Sequence, residues 1–322
     1  KNNPADDVIS IIVPCFNEES VLPAFYSAVS DAASSIEGAV CEFLFIDDGS
    51  SDNTLEILKK YAKEYDFVRY ISFSRNFGKE SAMYAGIKNS TGDFAVILDA
   101  DLQHPPKFIK DMLIAMENGY DCCSANRLSR NGESKVLSFF KKRFYRLVNK
   151  ISEVDMPDGA GDFRMMNRKM LNAVIAMSEV QRFSKGIFSW VGFKTKWITF
   201  ENVERAAGET KWSFWKLFKY ALDGITAFST APLKIASVIG TFISFSAFVY
   251  LIYVIVKTLV FGIDFPGYAS IITILLFIGG IIILSCGILG EYVAKIYMEV
   301  KNRPVYIIRE TNVEDEKDDY RN

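Results

Sequence analysis

The sequence contains few of the residues that build metal centres or disulfide scaffolds. Its 322 residues include a single histidine, His104, and five cysteines. The cysteines are not spaced like metal ligands: they are Cys15, Cys41, Cys122, Cys123 and Cys286. Reduced thiols of this kind are typical of a cytoplasmic domain. The formal net charge of −2 provides no overall field for a polyanion, so nucleic acid is not an expected partner.

Two phosphate-binding fingerprints are also missing. The first apolar run, residues 8–13, is followed by Pro14-Cys15-Phe16-Asn17-Glu18-Glu19 and not by the glycine pattern of a dinucleotide site. A P-loop motif is absent as well. The N-terminus starts with polar residues and no internal repeat occurs, so we expect no secretory signal and one large domain with an appendage.

Two long uncharged runs near the C-terminus form that appendage. Residues 235–256 and 269–289 carry no charge, and each run can cross a hydrocarbon core of about 30 Å as a helix. The short link between them predicts a transmembrane hairpin. Lysine and arginine residues flank the pair on its outer sides, whereas the link contains Asp264. The positive-inside rule therefore predicts a multi-pass membrane protein with its soluble domain and both termini in the cytoplasm.

Basic and aromatic residues alternate ahead of these runs. Residues 135–151 contain six basic side chains and, as far as Lys150, no acid, with apolar residues interleaved. This pattern predicts an amphipathic helix at a bilayer surface. Residues 212–228 repeat it with interfacial tryptophans. Nucleic acid could bind such helices, but the neighbouring spans favour lipid. We expect a soluble domain over 1–205, a juxtamembrane segment over 206–231, membrane helices over 232–296 and a partly disordered tail over 297–322.

The first two hundred residues alternate apolar strands with amphipathic helices, which predicts an α/β fold. The expected strands are 8–13, 43–46, 68–73, 94–98 and 120–124, and the expected helices are 21–36, 54–65, 79–88 and 107–117. Such a pattern favours a mostly parallel sheet with helices on both faces. Ligands of these sheets bind beyond the carboxyl ends of the strands, and the polar segments follow four of the expected strands.

The segment after the fourth expected strand is the most informative. Asp99 and Asp101 end an apolar run, and Gln103 follows. Charges at a buried strand end are costly unless they are compensated, and Mg²⁺ or Mn²⁺ on a diphosphate would compensate them. A solvated strand end is the alternative. We expect His104 to pack in the loop, because a hard cation prefers oxygen ligands. Asp47 and Asp48 could belong to a turn before a helix N-cap or could accept hydrogen bonds from a nucleoside.

Four motifs together resemble glycosyltransferase family 2, which has the GT-A fold with a Rossmann-like sheet. They are Pro14–Glu19, Asp47–Thr54, Arg75–Glu80 and Leu98–Pro106. With the hairpin, the chain resembles the polyisoprenyl-phosphate glycosyltransferases, relatives of dolichyl-phosphate mannose synthase. The resemblance implies that Mg²⁺ or Mn²⁺ binds Asp99, Asp101 and Gln103. It also implies nucleotide-binding residues, namely Pro14, Phe16, Glu18, Asp47, Asp48, Arg75, Lys79 and Asp99.

The resemblance extends to the later motifs. The segment Gly159–Arg164 would place Asp162 near the acceptor, and the loop from Arg205 to Trp212 would place Arg205 and Lys211 on phosphate oxygens. The catalytic set is then Asp101, Asp162, Arg205 and Lys211. The acceptor phosphate would contact Arg127, Lys142, Arg143 and Arg164. The alternatives are an Asp162–Arg164 ion pair in a glycine turn and a plain basic surface loop.

The implied reaction is an inverting transfer of a sugar from a nucleotide sugar to polyprenyl phosphate at the membrane. UDP with glucose or N-acetylglucosamine is favoured, and GDP-mannose is the alternative. The acceptor phosphate has a second pKa of about 6, so Asp162 could serve as a base or only position the acceptor. A polysaccharide synthase and a non-catalytic nucleotide-sugar sensor are the competing readings. Small residues in the second run would also allow a homo-oligomer.

Overall fold

The computed structural model describes residues 7–127, 160–200, 229–261 and 267–313. The chain divides into two compact units. The first comprises residues 1–147, 154–213 and 303–322, and the second comprises residues 148–153 and 214–302. The expected amphipathic segments 135–151 and 212–228 lie outside the described residues.

The described part of the first unit alternates strands and helices, as the sequence predicts. Its strands are β1 (Asp7–Cys15), β2 (Ala39–Asp47), β3 (Val68–Phe73), β4 (Phe94–Ile97), β5 (Cys122–Arg127), β6 (Ala160–Asn167), β7 (Thr195–Phe200) and β8 (Ile308–Thr311). Its helices are α1 (Leu22–Ser34), α2 (Thr54–Glu64), α3 (Lys79–Asn89), α4 (Phe108–Glu117), α5 (Arg168–Ala176) and α6 (Ser184–Trp190).

The eight strands form one mixed, mostly parallel sheet in the order β7-β5-β6-β4-β1-β2-β3-β8. Strands β1 to β4 run parallel to one another where they pair, and β5 pairs parallel to β7. Strand β6 is antiparallel to both β4 and β5, and β8 is antiparallel to β3. The predicted fold class is therefore confirmed, with two reversed strands that the sequence pattern did not reveal.

Helices cover both faces of the sheet because the buried strands alternate their apolar side chains. In β2, Phe43 and Phe45 join a core with residues of α1, α2 and α4, whereas Leu44 and Ile46 join a second core with residues of α3. Such alternation follows from the two-residue period of a strand.

Helix α3 packs unusually close to β1. A Cβ built on Gly86 would lie 2.2 Å from Cγ2 of Ile12, so only glycine allows this approach. The seven residues from Ser81 to Ile87 are all buried. The helix is therefore held firmly in place, and its first residue, Lys79, sits at the carboxyl edge of the sheet.

The C-terminal strand lies within the tail that is expected to be partly disordered. Of residues 297–322, Ile308–Thr311 form β8. Tyr306 stacks on Phe73 with ring centroids 4.9 Å apart, and Glu310 pairs with Lys59 at 2.9 Å. Strand β8 has only four residues, two of which are charged, and it lies at the edge of the sheet. Such a segment shows no apolar alternation, which explains why the sequence pattern missed this strand.

In its described residues, the second unit contains two long helices, α7 (Ala231–Phe261) and α8 (Tyr268–Val300). At 1.5 Å per residue they are about 46 and 50 Å long, which exceeds the hydrocarbon core of a bilayer. Segments Ala231–Lys257 and Phe277–Val300 are long and apolar enough to cross a membrane. In each segment, the most apolar stretch has no buried residues. The first segment contains the expected run 235–256, whereas the second overlaps the expected run 269–289 only in part and extends beyond it to Val300.

Candidate active site

The acidic residues singled out from the sequence converge at one edge of the sheet. Asp99 and Asp101 follow β4, whose carboxyl end lies beside that of β1. Strand β6 pairs Arg164 with Ile97 in antiparallel register, so Asp162 comes opposite Asp99 two residues further on. The reversed direction of β6 thus brings its amino end to the edge where parallel strands end.

Lys79 joins the two carboxylates. Its Nζ lies 2.7 and 2.9 Å from the two carboxylate oxygens of Asp99, and 2.7 Å from Oδ2 of Asp162. Burial opposes ionisation of Asp162, but Lys79 and Lys185 outweigh it and lower the pKa of Asp162 to about 2. Burial likewise disfavours the charged lysine, yet the two carboxylates raise the pKa of Lys79 above its usual value. Both partners therefore remain ionised at neutral pH.

A cluster of possible metal ligands includes one of these carboxylates. Ligand atoms of Asp99, Asp101 and His104 all lie within 4.8 Å of one another. Leu102 adopts a φ of 55°, and Oδ1 of Asp101 accepts a hydrogen bond from the backbone N–H of Gln103 at 3.1 Å. This turn folds the chain so that Asp101 faces Asp99. Two carboxylates are the donors that Mg²⁺ or Mn²⁺ prefers, so the residues fit such an ion.

His104 also packs in the loop as expected. Its ring centroid lies 5.2 Å from that of Phe163 and 5.5 Å from that of Phe200. Both His104 and the neighbouring Gln103 are buried. The structure thus gives His104 a packing role and also places it within the ligand cluster, whereas the sequence argument had treated these roles as alternatives.

The loops after β1 and β2 are tied together next to the acidic edge. The side-chain oxygen of Asn17 accepts the backbone N–H of Ser51 at 2.8 Å, and the backbone N–H of Glu18 donates to Thr54 Oγ1 at 2.8 Å. Phe16 is 46% exposed on this loop. Pro14, also on this strand end, pairs in register with Ile46. Phe16 and Glu18 are therefore presented on a braced loop beside the metal-ligand candidates.

Glu18 belongs to the same acidic group. Burial, reinforced by the charges of Asp101, Asp99 and Asp52, raises the pKa of Glu18 to about 7. Three carboxylates close enough to raise the pKa of Glu18 form an electrostatic environment that favours a bound cation.

Two expected nucleotide contacts require correction. Asp47 is fully buried, and its oxygens accept hydrogen bonds from the Ser50 N–H at 3.0 Å and the Ser72 hydroxyl at 2.6 Å. Asp48 is nearly buried and accepts the N–H groups of Phe77 and Gly78 at 2.6 and 2.9 Å. Both aspartates therefore hold loops in place, and neither presents a free carboxylate to a nucleoside.

The loop that Asp48 holds contains Arg75. The guanidinium of Arg75 stacks over the Phe77 ring at 4.0 Å. Gly49 has a φ of +67°, and a Cβ there would lie 2.5 Å from the carbonyl carbon of Arg75. The loops after β2 and β3 can approach this closely only with glycine at position 49. Arg75 is thus presented at the same edge as Glu18 and Lys79.

The expected acceptor-phosphate residues have different outcomes. Arg164 is buried, stacks on Phe188 at 4.0 Å and donates to the carbonyl of Gly161 at 2.9 Å. It supports the start of β6, and its burial contradicts the expected contact with the acceptor phosphate. Arg127 ends β5. Lys142, Arg143, Arg205 and Lys211 lie outside the described residues. Sequence reasoning missed the contact of Lys79 with Asp162, because no local pattern shows that β6 runs antiparallel.

Comparison with known proteins identifies the family. The family model of glycosyl transferase family 2 matches residues 10–175, slightly more than half of the chain. The chain belongs to glycosyltransferase family 2. Residues 231–296 of this glycosyltransferase match a second model, the GtrB C-terminal hairpin. The two apolar helices therefore form the hairpin expected from the sequence, and the protein associates with a membrane.

Relatives of the glycosyltransferase align over nearly its whole length. The putative glycosyltransferase CsbB of Bacillus subtilis is 44% identical over 95% of this chain and 92% of its own. An SfII prophage-derived bactoprenol glucosyl transferase of Shigella flexneri is 40% identical over 94% and 98%. Among solved structures, the mannosyltransferase PcManGT from Pyrobaculum calidifontis, in complex with GDP-Man and Mn²⁺, has a TM-score of 0.47 at 15% identity, covering 68% of this chain and 63% of that one.

Proposed function

We propose that this enzyme transfers glucose from UDP-glucose to a polyprenyl phosphate, which yields a lipid-linked sugar. The observation that carries the proposal is the 40% identity to a bactoprenol glucosyl transferase over 94% of the chain, hairpin included. The acidic edge of the sheet supports the proposal, because its carboxylates can hold a divalent cation. A departing nucleoside diphosphate needs the positive charge that such a cation provides.

Asp99 and Asp101 would hold Mg²⁺ or Mn²⁺ on the donor, with His104 close enough to contribute. A divalent cation at this position supplies stabilisation of the charge that develops on the leaving diphosphate. Phe16, Glu18 and Arg75 would line the nucleotide side of the pocket, since they lie on the braced loops beside these ligands. Arg205 and Lys211 remain proposed contacts of the phosphate oxygens on the strength of the family motif.

Asp162 serves as a positioning group in this proposal and not as a general base. Its pKa of about 2 makes it a weak proton acceptor. The acceptor phosphate is largely dianionic at neutral pH and is already nucleophilic. Arg127, Lys142 and Arg143 remain the proposed contacts of that phosphate, and they would bring the two anionic substrates together.

The connectivity of the chain supports a membrane hairpin with the sheet on one side of the bilayer. Strands β7 and β8 belong to the same sheet, and the two long helices lie between them in the chain. An even number of spans returns the chain to the side it left, so a hairpin satisfies this requirement. The excess of basic residues around the outer ends of the hairpin then favours a cytoplasmic sheet. A homo-oligomer stays a prediction.

The test is a transfer assay with the full-length protein in nanodiscs. Radiolabelled UDP-glucose, UDP-N-acetylglucosamine and GDP-mannose are each supplied with undecaprenyl phosphate and Mn²⁺, and label is counted in the organic phase. We expect label from UDP-glucose and at least tenfold less from the others. Preference for GDP-mannose would contradict the proposal that UDP-glucose is the donor. Absence of label from all three nucleotide sugars would contradict the proposed transfer itself.

A further inference from the structure

Lys79 makes contacts that a simple nucleotide-binding lysine would not need. Its ammonium lies within 2.9 Å of both oxygens of Asp99 and 2.7 Å from Asp162. Asp99 is also a member of the candidate metal cluster. A metal ion that binds through Asp99 must therefore use an oxygen that Lys79 already contacts. The metal ion and the Lys79 ammonium would then share one carboxylate and repel each other.

The side chain of Lys79 can leave this position while its backbone stays fixed. Gly78, immediately before it, is held by the carboxylate of Asp48, and α3 behind it is packed against β1 through Gly86. The Lys79 side chain is 43% exposed, whereas those of Asp99 and Asp162 are 25% and 15% exposed. A long flexible side chain on a rigid backbone, open to solvent on one side, can swing toward an incoming anion.

We propose that Lys79 occupies the cation position in the donor-free enzyme and moves to the donor diphosphate when the metal binds. This inference rests on the metal and the nucleotide donor of the proposed function. Metal alone competes with the ammonium for Asp99 and leaves Lys79 with Asp162 as its only partner among these carboxylates, next to a second cation. Metal together with a diphosphate provides a new partner, because the phosphate oxygens accept the hydrogen bonds that Asp99 and Asp162 lose. Lys79 thereby makes the binding of metal and nucleotide cooperative.

The first test measures Mn²⁺ binding to the nucleotide-free, full-length protein by electron paramagnetic resonance. We expect Lys79→Met to bind Mn²⁺ at least tenfold more tightly than the wild type, and Lys79→Arg to bind it as weakly as the wild type. The enhancement of Mn²⁺ affinity by UDP should fall at least fivefold in Lys79→Met. Lys60→Met, an exposed lysine on α2, is the matched control and should change neither quantity. Unchanged or weaker Mn²⁺ binding by a folded Lys79→Met would overturn the inference.

A second test uses the wild type and does not depend on the folding of a variant. An amine-acetylating reagent is applied briefly, and the modification of Lys79 is quantified by mass spectrometry. Mn²⁺ alone should increase labelling of Lys79 several-fold, and Mn²⁺ with UDP should reduce it again, while Lys60 stays constant. Labelling that does not rise with Mn²⁺ alone would overturn the inference. Neither readout requires the lipid acceptor, so a failure of sugar transfer would contradict the proposed function without affecting these results.

Discussion

Asp162→Asn should slow sugar transfer without altering the acidic limb of its pH profile. Lys79 and Lys185 overcome the effect of burial and lower the pKa of Asp162 to about 2. The acceptor phosphate has a second pKa of about 6. Donor binding moves Lys79 away from Asp162, so the comparison that applies during transfer uses the ordinary aspartate pKa of about 3.9. A proton that moved from this phosphate to Asp162 would still cross about two pKa units, which corresponds to roughly 3 kcal/mol. Proton abstraction by Asp162 is therefore too unfavourable to assist the reaction.

The assay is the initial transfer rate from about pH 4.5 to about pH 8 with saturating donor and acceptor. Both proteins should lose activity below about pH 6, by roughly tenfold at pH 5, because the acceptor becomes a monoanion. The variant should be slower by a constant factor on the order of 10 to 100 from loss of positioning. The depressed pKa of Asp162 stabilises the fold at pH values above the ordinary aspartate pKa. This stabilisation is lost only as the pH falls through about 2, so unfolding linked to Asp162 lies outside the pH range of the assay.

An acidic limb that disappears or shifts in Asp162→Asn would refute this reasoning, since the limb would then belong to Asp162. Lys185→Met provides an independent check. It removes one of the three positive charges that lower the pKa of Asp162, the others being Lys79 and Arg164. The limb should keep its midpoint in this variant as well, because the acceptor sets it.

Three further predictions concern the same edge of the sheet. Asp101→Asn should reduce transfer at least a hundredfold and weaken Mn²⁺ binding in the presence of UDP, while the protein stays folded. Glu18→Gln should raise the thermal midpoint of the metal-free protein at pH 8 but not at pH 5. Burial and the charge of Asp101 raise the pKa of Glu18 to about 7. Ionisation of Glu18 therefore destabilises the fold as the pH rises through that value, and the glutamine removes this effect. Gly86→Ala should cost about 1–3 kcal/mol of stability, measured by denaturant unfolding, because its Cβ would overlap the side chain of Ile12.

Controls for these variants are available in the same chain. Asp111→Asn changes an exposed carboxylate on α4 and should leave transfer and Mn²⁺ binding unaffected. Near-normal transfer by Asp101→Asn would remove it from the metal site. An equal gain in stability of Glu18→Gln at both pH values would show that charge is not the cause. The cost of Gly86→Ala should shrink when Ile12→Ala is added, and additive effects would contradict the proposed clash.

Strand and helix periodicity was sufficient to predict the first part of the fold. The elements from β1 to α4 lie where apolar alternation and helical spacing indicate, and β3 matches its expected bounds at both ends. Strand β6 escaped detection because its segment, which begins Ala160-Gly161-Asp162, resembles a glycine turn. Its identity depends on pairing with β4, which is distant in sequence, and short-range patterns do not encode such a partner.

The site was predictable as a place but less so in its individual roles. The clustering of Asp99, Asp101 and Asp162 follows from strand ends and a family motif. Whether a carboxylate faces a ligand or the protein interior depends on the side chains around it. Asp47 and Asp48 look equivalent to pocket residues in the sequence, and only the hydrogen bonds to Ser72 and to the Phe77 loop show that they are structural.

Because β8 closes the edge of the sheet at β3, biosynthesis of this protein has a built-in order. The hydroxyl of Thr311 donates to the carbonyl of Tyr70 across 241 residues of sequence. The ribosome must therefore complete both apolar helices before the last strand can emerge, and the β3 edge waits for its neighbour throughout that time. A nascent chain that stops before β8 keeps this strand edge open, and an unpaired edge is a surface that invites aggregation.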